Sequence, residues 1–144
     1  MLQVVLLTRR CWNINAFTIN CKLPSLNEYV AACRSNAYMG AKFKKDVEEV
    51  IGWSIRQALA SKTLKPTNEP SIIVIEWHKK DKRMDIDNIH SAVKFILDTM
   101  QKHKIIPNDN RKYIKQIYQQ VIDDKEEYCL VKICKCDSVI LTIL

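Results

Sequence analysis

The sequence predicts an α+β domain in which two helices pack on one small mixed or antiparallel sheet. Three observations predict it: 144 residues suit one domain, 47% of them are hydrophobic, and apolar residues recur at strand spacing in some segments and at helix spacing in others. Because no repeat or low-complexity tract is present, we treat residues 1–144 as a single domain. Residues 1–13 show no clear period and are expected to form a loosely ordered leader.

The first half of the chain predicts a strand, a long helix and a connector. Phe17 and Ile19 fall at alternate positions before a loop at Pro24, which indicates a short strand. From about Gly40 to Ser61, apolar residues recur on one helical face. The segment 62–70, KTLKPTNEP, holds two prolines and is the clearest connector.

The second half predicts a buried strand, a second helix and two further strands. Residues 71–79, SIIVIEWHK, are rich in β-branched residues, which is typical of a buried strand. A helix is predicted to begin near Asp87, because apolar residues between positions 89 and 100 have the spacing of a buried stripe. After a polar loop, residues 113–123 and 127–135 predict an antiparallel hairpin, which gives the order β-α-β-α-β-β.

The composition narrows the classes of function. A net charge of +7 favours a polyanion as the macromolecular partner. We expect a cytoplasmic protein without a membrane partner, because no stretch reaches the length of a membrane span and no signal peptide is recognisable. Only two glycines are present, which excludes a P-loop and a dinucleotide fingerprint. The six cysteines include no C-x-x-C and are expected to be free thiols rather than zinc ligands, with Cys134 and Cys136 on one face of a strand.

Two aspartates one residue apart, Asp85 and Asp87, open the second helix inside a run of positive charge. Two carboxylates ~4 Å apart repel by roughly 4 kcal/mol at an effective dielectric near 20, so a turn, nearby cations or a metal has to offset the repulsion. One interpretation is helix capping, for which one acidic residue suffices. The other is a Mg²⁺ site completed by Asp109, which could activate water for phosphodiester cleavage. The alternative role of Asp109 is an Asx turn.

Lys94 follows Asp87 by two helical turns, about 20° away in azimuth and ~10 Å along a continuous helix. A phosphate bound at the aspartates would then lie within reach of its ammonium group. The alternative role of Lys94 is an i,i+4 ion pair with Asp98. The three histidines are expected in core or surface roles, although His90 is kept as a candidate because it lies close to Asp87 on the helix.

Basic residues surround the two aspartates and recur in the stretch 27–45. They are interpreted either as solvated surface or as contacts to DNA phosphates. The same stretch holds tyrosines that could stack on splayed bases, although Tyr38 could equally belong to the core. The residues predicted to contact DNA are Lys79, Lys80, Lys82, Arg83, Asn88, Arg34, Lys42 and Lys45.

The stretches KRMDIDNIHSAVKFILDTM and NDNRKYI resemble the RusA family of Holliday junction resolvases, and LPSLNEY resembles an early loop of that family. The resemblance covers residues 18–132. It implies a small α+β homodimer that needs Mg²⁺ or Mn²⁺ and makes paired nicks in four-way DNA junctions. Asp85, Asp87 and Asp109 match the aspartates of the family's metal site, and Lys94 matches its essential lysine if a three-residue insertion is allowed.

The chain departs from the family pattern at two positions. Ser91 lies one turn after Asp87, where the family has its lysine, and Met84 replaces the basic residue before the first aspartate, with Arg83 as its stand-in. The sequence therefore favours a magnesium-dependent endodeoxyribonuclease that resolves Holliday junctions in DNA recombination and repair. A branched-DNA nuclease without junction specificity and a non-catalytic basic DNA-binding module are the alternatives.

Overall fold

Strands and helices both occur along residues 15–136, the part of the chain that the computed structural model describes, and the leader predicted at residues 1–13 lies outside it. The elements are β1 (Asn15–Ile19), α1 (Leu26–Ser35), α2 (Ala37–Ala60), β2 (Ser71–Lys79), α3 (Ile86–His90), α4 (Val93–Lys102), β3 (Ile114–Asp123) and β4 (Tyr128–Lys135). The predicted α+β class is confirmed. None of these helices has the length and apolar character needed to cross a membrane.

The sheet within this range is mixed and has the strand order β1–β4–β2–β3. β4 pairs antiparallel with β1 and with β2, whereas β3 runs parallel to β2. The predicted hairpin of β3 and β4 is therefore wrong, because β2 lies between them. β2 takes this central position because nearly all of its residues are buried on both faces, whereas most of β3 is exposed or half-buried and suits an edge.

The main hydrophobic core lies between α2, α4 and one face of the sheet. Its fully buried members include Ile51, Ile55, Ile73, Ile75, Ile96 and Met100. Because burying one such side chain stabilises the fold by roughly 1.5–3 kcal/mol, this core fixes the positions of both helices. A smaller cluster on the opposite face joins Ile72 and Val74 to Cys134, with Cys136 packed against it. The prediction that these two cysteines share a face is confirmed.

The helices differ from the prediction at two places. A further helix, α1, precedes α2 and begins with a capping box formed by Ser25 and Glu28. The helix predicted to begin near Asp87 is divided into α3 and α4 by a turn at residues 91–92. The continuous helix assumed between Asp87 and Lys94 is therefore wrong, although Ser91 and Ala92 at the turn keep right-handed helical dihedrals.

Candidate functional site

Asp85 and Asp87 are both exposed at the start of α3. Asp85 occupies the N-cap position, but its carboxylate accepts no capping hydrogen bond. Asp87 accepts a hydrogen bond from the backbone N–H of Asn88 at 3.0 Å. The capping interpretation is therefore wrong for Asp85, whose carboxylate lies on the surface without that role.

The chain reverses direction after α4 and carries Asp109 back toward that helix. At the reversal, Ile105 N–H donates to the carbonyl oxygen of Met100 at 2.9 Å, and both side chains are fully buried. Lys104 adopts the left-handed backbone conformation with φ 59°, as the residue after a helix C-cap commonly does. Asp109 N–H then donates to Oε1 of Gln101 at 3.3 Å. The reversal that a site containing Asp109 requires is therefore present.

Lys94 links the returning segment to α4. Its Nζ lies 2.9 Å from Oδ1 of Asp98 and 3.5 Å from Oδ2 of Asp109. The predicted i,i+4 pair with Asp98 is confirmed, and the same ammonium group also contacts one of the three predicted metal ligands. Hydrogen bonding to Asp98 is the main cause that raises the pKa of Lys94, so the side chain stays a cation.

Asp98 also binds a second lysine from the basic stretch 27–45, a pairing that was not predicted. Lys44 Nζ, on α2, lies 3.2 Å from Oδ2 of Asp98. Burial raises the pKa of Asp98, but hydrogen bonds from Lys94 and Lys44 outweigh it, and the pKa falls below its usual value. We call these four residues the lysine–aspartate cluster: Lys44, Lys94, Asp98 and Asp109.

The three predicted metal ligands are not grouped. Within residues 15–136, no three Asp, Glu, His or Cys side chains are placed to hold one metal ion. Carboxylates are the donors that Mg²⁺ prefers, so Asp85, Asp87 and Asp109 suit the ion chemically. Their arrangement does not fit it, since they form no such group, and Asp109 pairs with Lys94. The Mg²⁺ or Mn²⁺ site stays a prediction.

The residues predicted to contact DNA differ widely in exposure. The prediction that Lys79 contacts a DNA phosphate is wrong, because its side chain is only 5% exposed and its Nζ lies 2.9 Å from Oε1 of Glu127. Arg83 is exposed and donates to Asp81 from its side chain, at 3.0 and 3.2 Å, and from its backbone N–H, at 2.9 Å; these hydrogen bonds lower the pKa of Asp81 to about 2. Asn88 is half-buried. The other predicted contacts are exposed: Arg34, Lys42, Lys45, Lys80 and Lys82.

The tyrosines of the basic stretch have different environments. Tyr38 is exposed, so its assignment to the core is wrong and the stacking role stays a prediction. Tyr29 packs edge-to-face on Phe95, with ring centroids 5.2 Å apart, and also contacts Phe43. Tyr29, on α1, therefore helps to pack α1 and α2 against α4.

A second polar group, at the C-terminal end of β2, was not predicted. The ring nitrogens of His78 lie 2.8 Å from Oδ2 of Asp124 and 3.3 Å from Oε2 of Glu76. Glu76 in turn accepts from Lys132 at 3.1 Å. We call this group, together with the Lys79–Glu127 pair, the β2-end network: Glu76, His78, Lys79, Asp124, Glu127 and Lys132. Its contacts agree with the structural role expected of His78.

His90 is the histidine closest to Asp87 in sequence, and one of its ring nitrogens lacks a hydrogen-bond partner among the described residues. Its Nε2 atom is buried and has no hydrogen-bond partner among the described residues. Burial also lowers the pKa of His90, which favours the neutral imidazole at pH 7. His90 thus stays a candidate on geometric grounds, with no ligand assigned to it.

Comparison with family models and with curated proteins identifies no family for this chain. No family model matches it. No curated protein matches its sequence significantly either. The resemblance to RusA resolvases therefore depends on the quoted stretches alone.

Proposed function

We propose that this protein is a metal-dependent endodeoxyribonuclease that cuts branched DNA, with Holliday junctions as its foremost substrate. The observation that carries the proposal is the return of Asp109 to Lys94, with 3.5 Å between Oδ2 and Nζ. It joins two residues, 15 positions apart, that the RusA resemblance assigns to one active site. The other two, Asp85 and Asp87, are exposed in the segment that precedes α4.

The side chains of the proposed site have roles that follow from their charge. The ammonium group of Lys94 is accessible, since the side chain is 66% exposed, and can donate to a phosphate oxygen as negative charge develops on it. The same ammonium group donates to Oδ1 of Asp98 at 2.9 Å. The proposal requires Asp85, Asp87 and Asp109, which are not grouped in this structure, to come together before they could hold Mg²⁺ or Mn²⁺, an ion that would supply an activated water.

The proposed DNA contacts come from exposed cations near the aspartates and on the first two helices. Lys80 and Lys82 directly precede Asp85, while Arg34 lies on α1 and Lys42 on α2. Neutralising phosphates releases counterions, so binding should weaken steeply with added salt. The proposal includes a C2 homodimer, because two equivalent sites related by a twofold axis suit paired nicks in a junction.

The first test compares DNA substrates with the purified full-length protein. We expect symmetrical nicks in a synthetic four-way junction, none in a matched duplex or flap, and no cleavage when EDTA replaces Mg²⁺. Asp87→Asn should abolish cleavage and leave junction binding largely intact in a gel-shift assay. Asp46→Asn is the matched control, because Asp46 is an exposed carboxylate on α2. Normal nicking by the Asp87 variant would refute the proposed site.

A non-catalytic DNA-binding module is the second candidate. It is favoured by the absence, within residues 15–136, of three grouped metal-ligating side chains. It predicts junction binding that EDTA leaves unchanged and no cleavage at any Mg²⁺ concentration. Equal cleavage of flaps and junctions would instead keep the catalytic site and remove the junction specificity.

A further inference from the structure

We infer that the outer edge of β3 is a dimer interface, at which a second copy of this chain adds its own β3 in antiparallel orientation and joins the two four-stranded sheets into one. The inference deepens the proposed function and rests on it for the homodimer, to which it assigns a contact surface. The evidence comes from the hydrogen bonds, exposure and charges of the two edge strands.

The two edges of the sheet are covered to different degrees. At one edge, β1 is covered where it begins. Ala16 N–H donates to the carbonyl oxygen of Thr63 at 3.0 Å, and the side chain of Asn15 exchanges two hydrogen bonds with the backbone of Lys65. At the other edge, residues 115–123 of β3 have no backbone hydrogen bond on their outer side to any part of the chain that the structure describes. The long open edge is therefore that of β3.

The groups that β3 presents outward follow from its pairing with β2. Just past the strand, Asp124 N–H donates to the carbonyl oxygen of Lys79 at 2.9 Å, so the even-numbered residues of β3 bond toward β2. The backbone N–H and C=O groups of the odd-numbered residues Ile117, Gln119 and Val121 therefore point away from the sheet. A row of such unpaired groups is a template for another strand.

The central part of β3 lacks the features that usually keep an edge strand from pairing. Residues 116–122, QIYQQVI, contain no charged residue, no proline and no glycine. Ile117 is 39% exposed, which is unusual for a large apolar side chain without a partner. The side chain of Gln119 is held by Trp77, whose Nε1 donates to its Oε1 at 2.8 Å. This part of the edge is thus uncharged and accessible.

The sequence of β3 is complementary to itself when two copies run antiparallel about Gln119. Lys115 of one copy then lies opposite Asp123 of the other, and Ile117 lies opposite Val121. Lys115 and Asp123 are the only charged residues of the strand, and both are exposed. The ladder between β2 and β3 skips Lys115, so this residue is not committed to β2. Charge complementarity therefore favours a second copy as the occupant of the edge.

This pairing has a consequence for the two proposed sites. Residues directly opposite each other in an antiparallel pair point to the same face, so the twofold axis is perpendicular to the sheet and the helices of both copies lie on one face. α3 contacts β3 and buries Ile89 in the main core on that face. The two copies of α3, with Asp85 and Asp87 at its start, would then flank the axis on one face, where one junction could reach both.

The first test measures the mass of the full-length protein by sedimentation equilibrium, without DNA or metal ion. Wild type should form a dimer that dissociates on dilution. Lys115→Asp and Asp123→Lys should each raise the Kd of the dimer about tenfold, because each places like charges opposite each other at two symmetric positions. The two changes together exchange the charges and should restore the wild-type Kd. Local damage to the strand by either change would not be rescued in this way.

The second test introduces proline at each edge of the sheet. Ile117→Pro removes an outward N–H group, leaves the hydrogen bonds to β2 in place, and should give a monomer. Thr18→Pro is the matched control on β1. Thr18 lies two positions after Ala16, so its N–H also points outward, and this variant should stay a dimer. If Ile117→Pro does not fold, as judged by circular dichroism, the charge exchange alone decides.

The outcomes separate this inference from the proposed function. A wild-type protein that is a monomer at its highest soluble concentration overturns the inference, as does an assembly larger than a dimer, because a twofold pairing of one edge is closed. A dimer that the charge reversals do not weaken uses another surface, which overturns the inference and leaves the proposed nuclease standing. A dimer that responds as expected but cuts no junction supports the inference and overturns the proposed function.

Discussion

The lysine–aspartate cluster and the β2-end network contain similar charged groups but differ in burial. In the network, Lys79 is 5% exposed and Lys132 is 15% exposed, and each has a carboxylate partner within 3.1 Å. In the cluster, Lys94 is 66% exposed and divides its ammonium group between two carboxylates. The difference indicates that the network supports the fold, whereas the cluster is free to exchange partners.

The physical basis of this difference is the cost of leaving a charge unpaired. A buried charge that loses its partner has no water to replace it, and breaking such a pair costs about 3–5 kcal/mol. An exposed pair contributes roughly 0–1 kcal/mol, because water solvates both groups when the pair opens. Substitutions should therefore lower stability at the network and alter function at the cluster.

The largest effect on stability is expected from Glu127→Ala, which leaves the ammonium group of Lys79 buried without its carboxylate. We expect the free energy of unfolding, measured by urea denaturation, to fall by about 3 kcal/mol. Glu69→Ala is the control, since Glu69 pairs with Lys135 at the surface. A loss of similar size in both variants would remove the distinction between buried and exposed pairs.

A smaller effect on stability but a clear effect on activity is expected from Lys94→Met. The free energy of unfolding should change by less than about 1 kcal/mol, because the side chain is exposed. If the proposed function is correct, junction cleavage should fall by about 10²-fold, as when one donor to a developing anion is removed. Lys102→Met should leave cleavage near the wild-type rate. Unfolding of the Lys94 variant would show that the cluster is structural after all.

The smallest effect is expected from the acid dependence of stability at Asp98. Its pKa is lowered in the folded protein from the usual 3.8, so the unfolded chain binds a proton first as the pH falls. The contribution of Asp98 to the free energy of unfolding is therefore complete above the unfolded pKa of 3.8 and is lost as the pH falls through the folded pKa. Urea denaturation below pH 4 should show a shallower loss of stability for Asp98→Asn than for wild type. Equal slopes would indicate that the two lysines do not stabilise the folded carboxylate.

Local patterns predicted the elements of the fold better than their arrangement. The strand β2 was identified from its run of β-branched residues and the helix α4 from the spacing of its apolar stripe, because burial acts on each element directly. The adjacency of β3 and β4 was predicted wrongly, because a polar turn shows where two strands end and not which strands pair. The helix ends were also difficult to predict, since Lys62 and Lys104, rather than glycine, adopt positive φ after α2 and α4.

The candidate site was predicted only as far as local spacing allows. The pairing of Lys94 with Asp98 follows from the helix repeat and could be read from the sequence. The role of Lys44 could not, because it lies 54 positions before Asp98 and depends on how α2 packs against α4. The ion pair of Asp109 likewise depends on a reversal whose geometry is set by buried side chains in the core.

The strand order has a consequence for how the chain folds while the ribosome is still synthesising it. Within the described residues, β1 pairs only with β4, and Ile19 lies opposite Cys129. The first of these strands to be synthesised therefore has no partner until the last one is available. Since such distant contacts close slowly, the edge of β1 that pairs with β4 stays open until β4 has been synthesised. Nascent copies are thus exposed to one another during that interval, because an unpaired strand edge can pair with another chain.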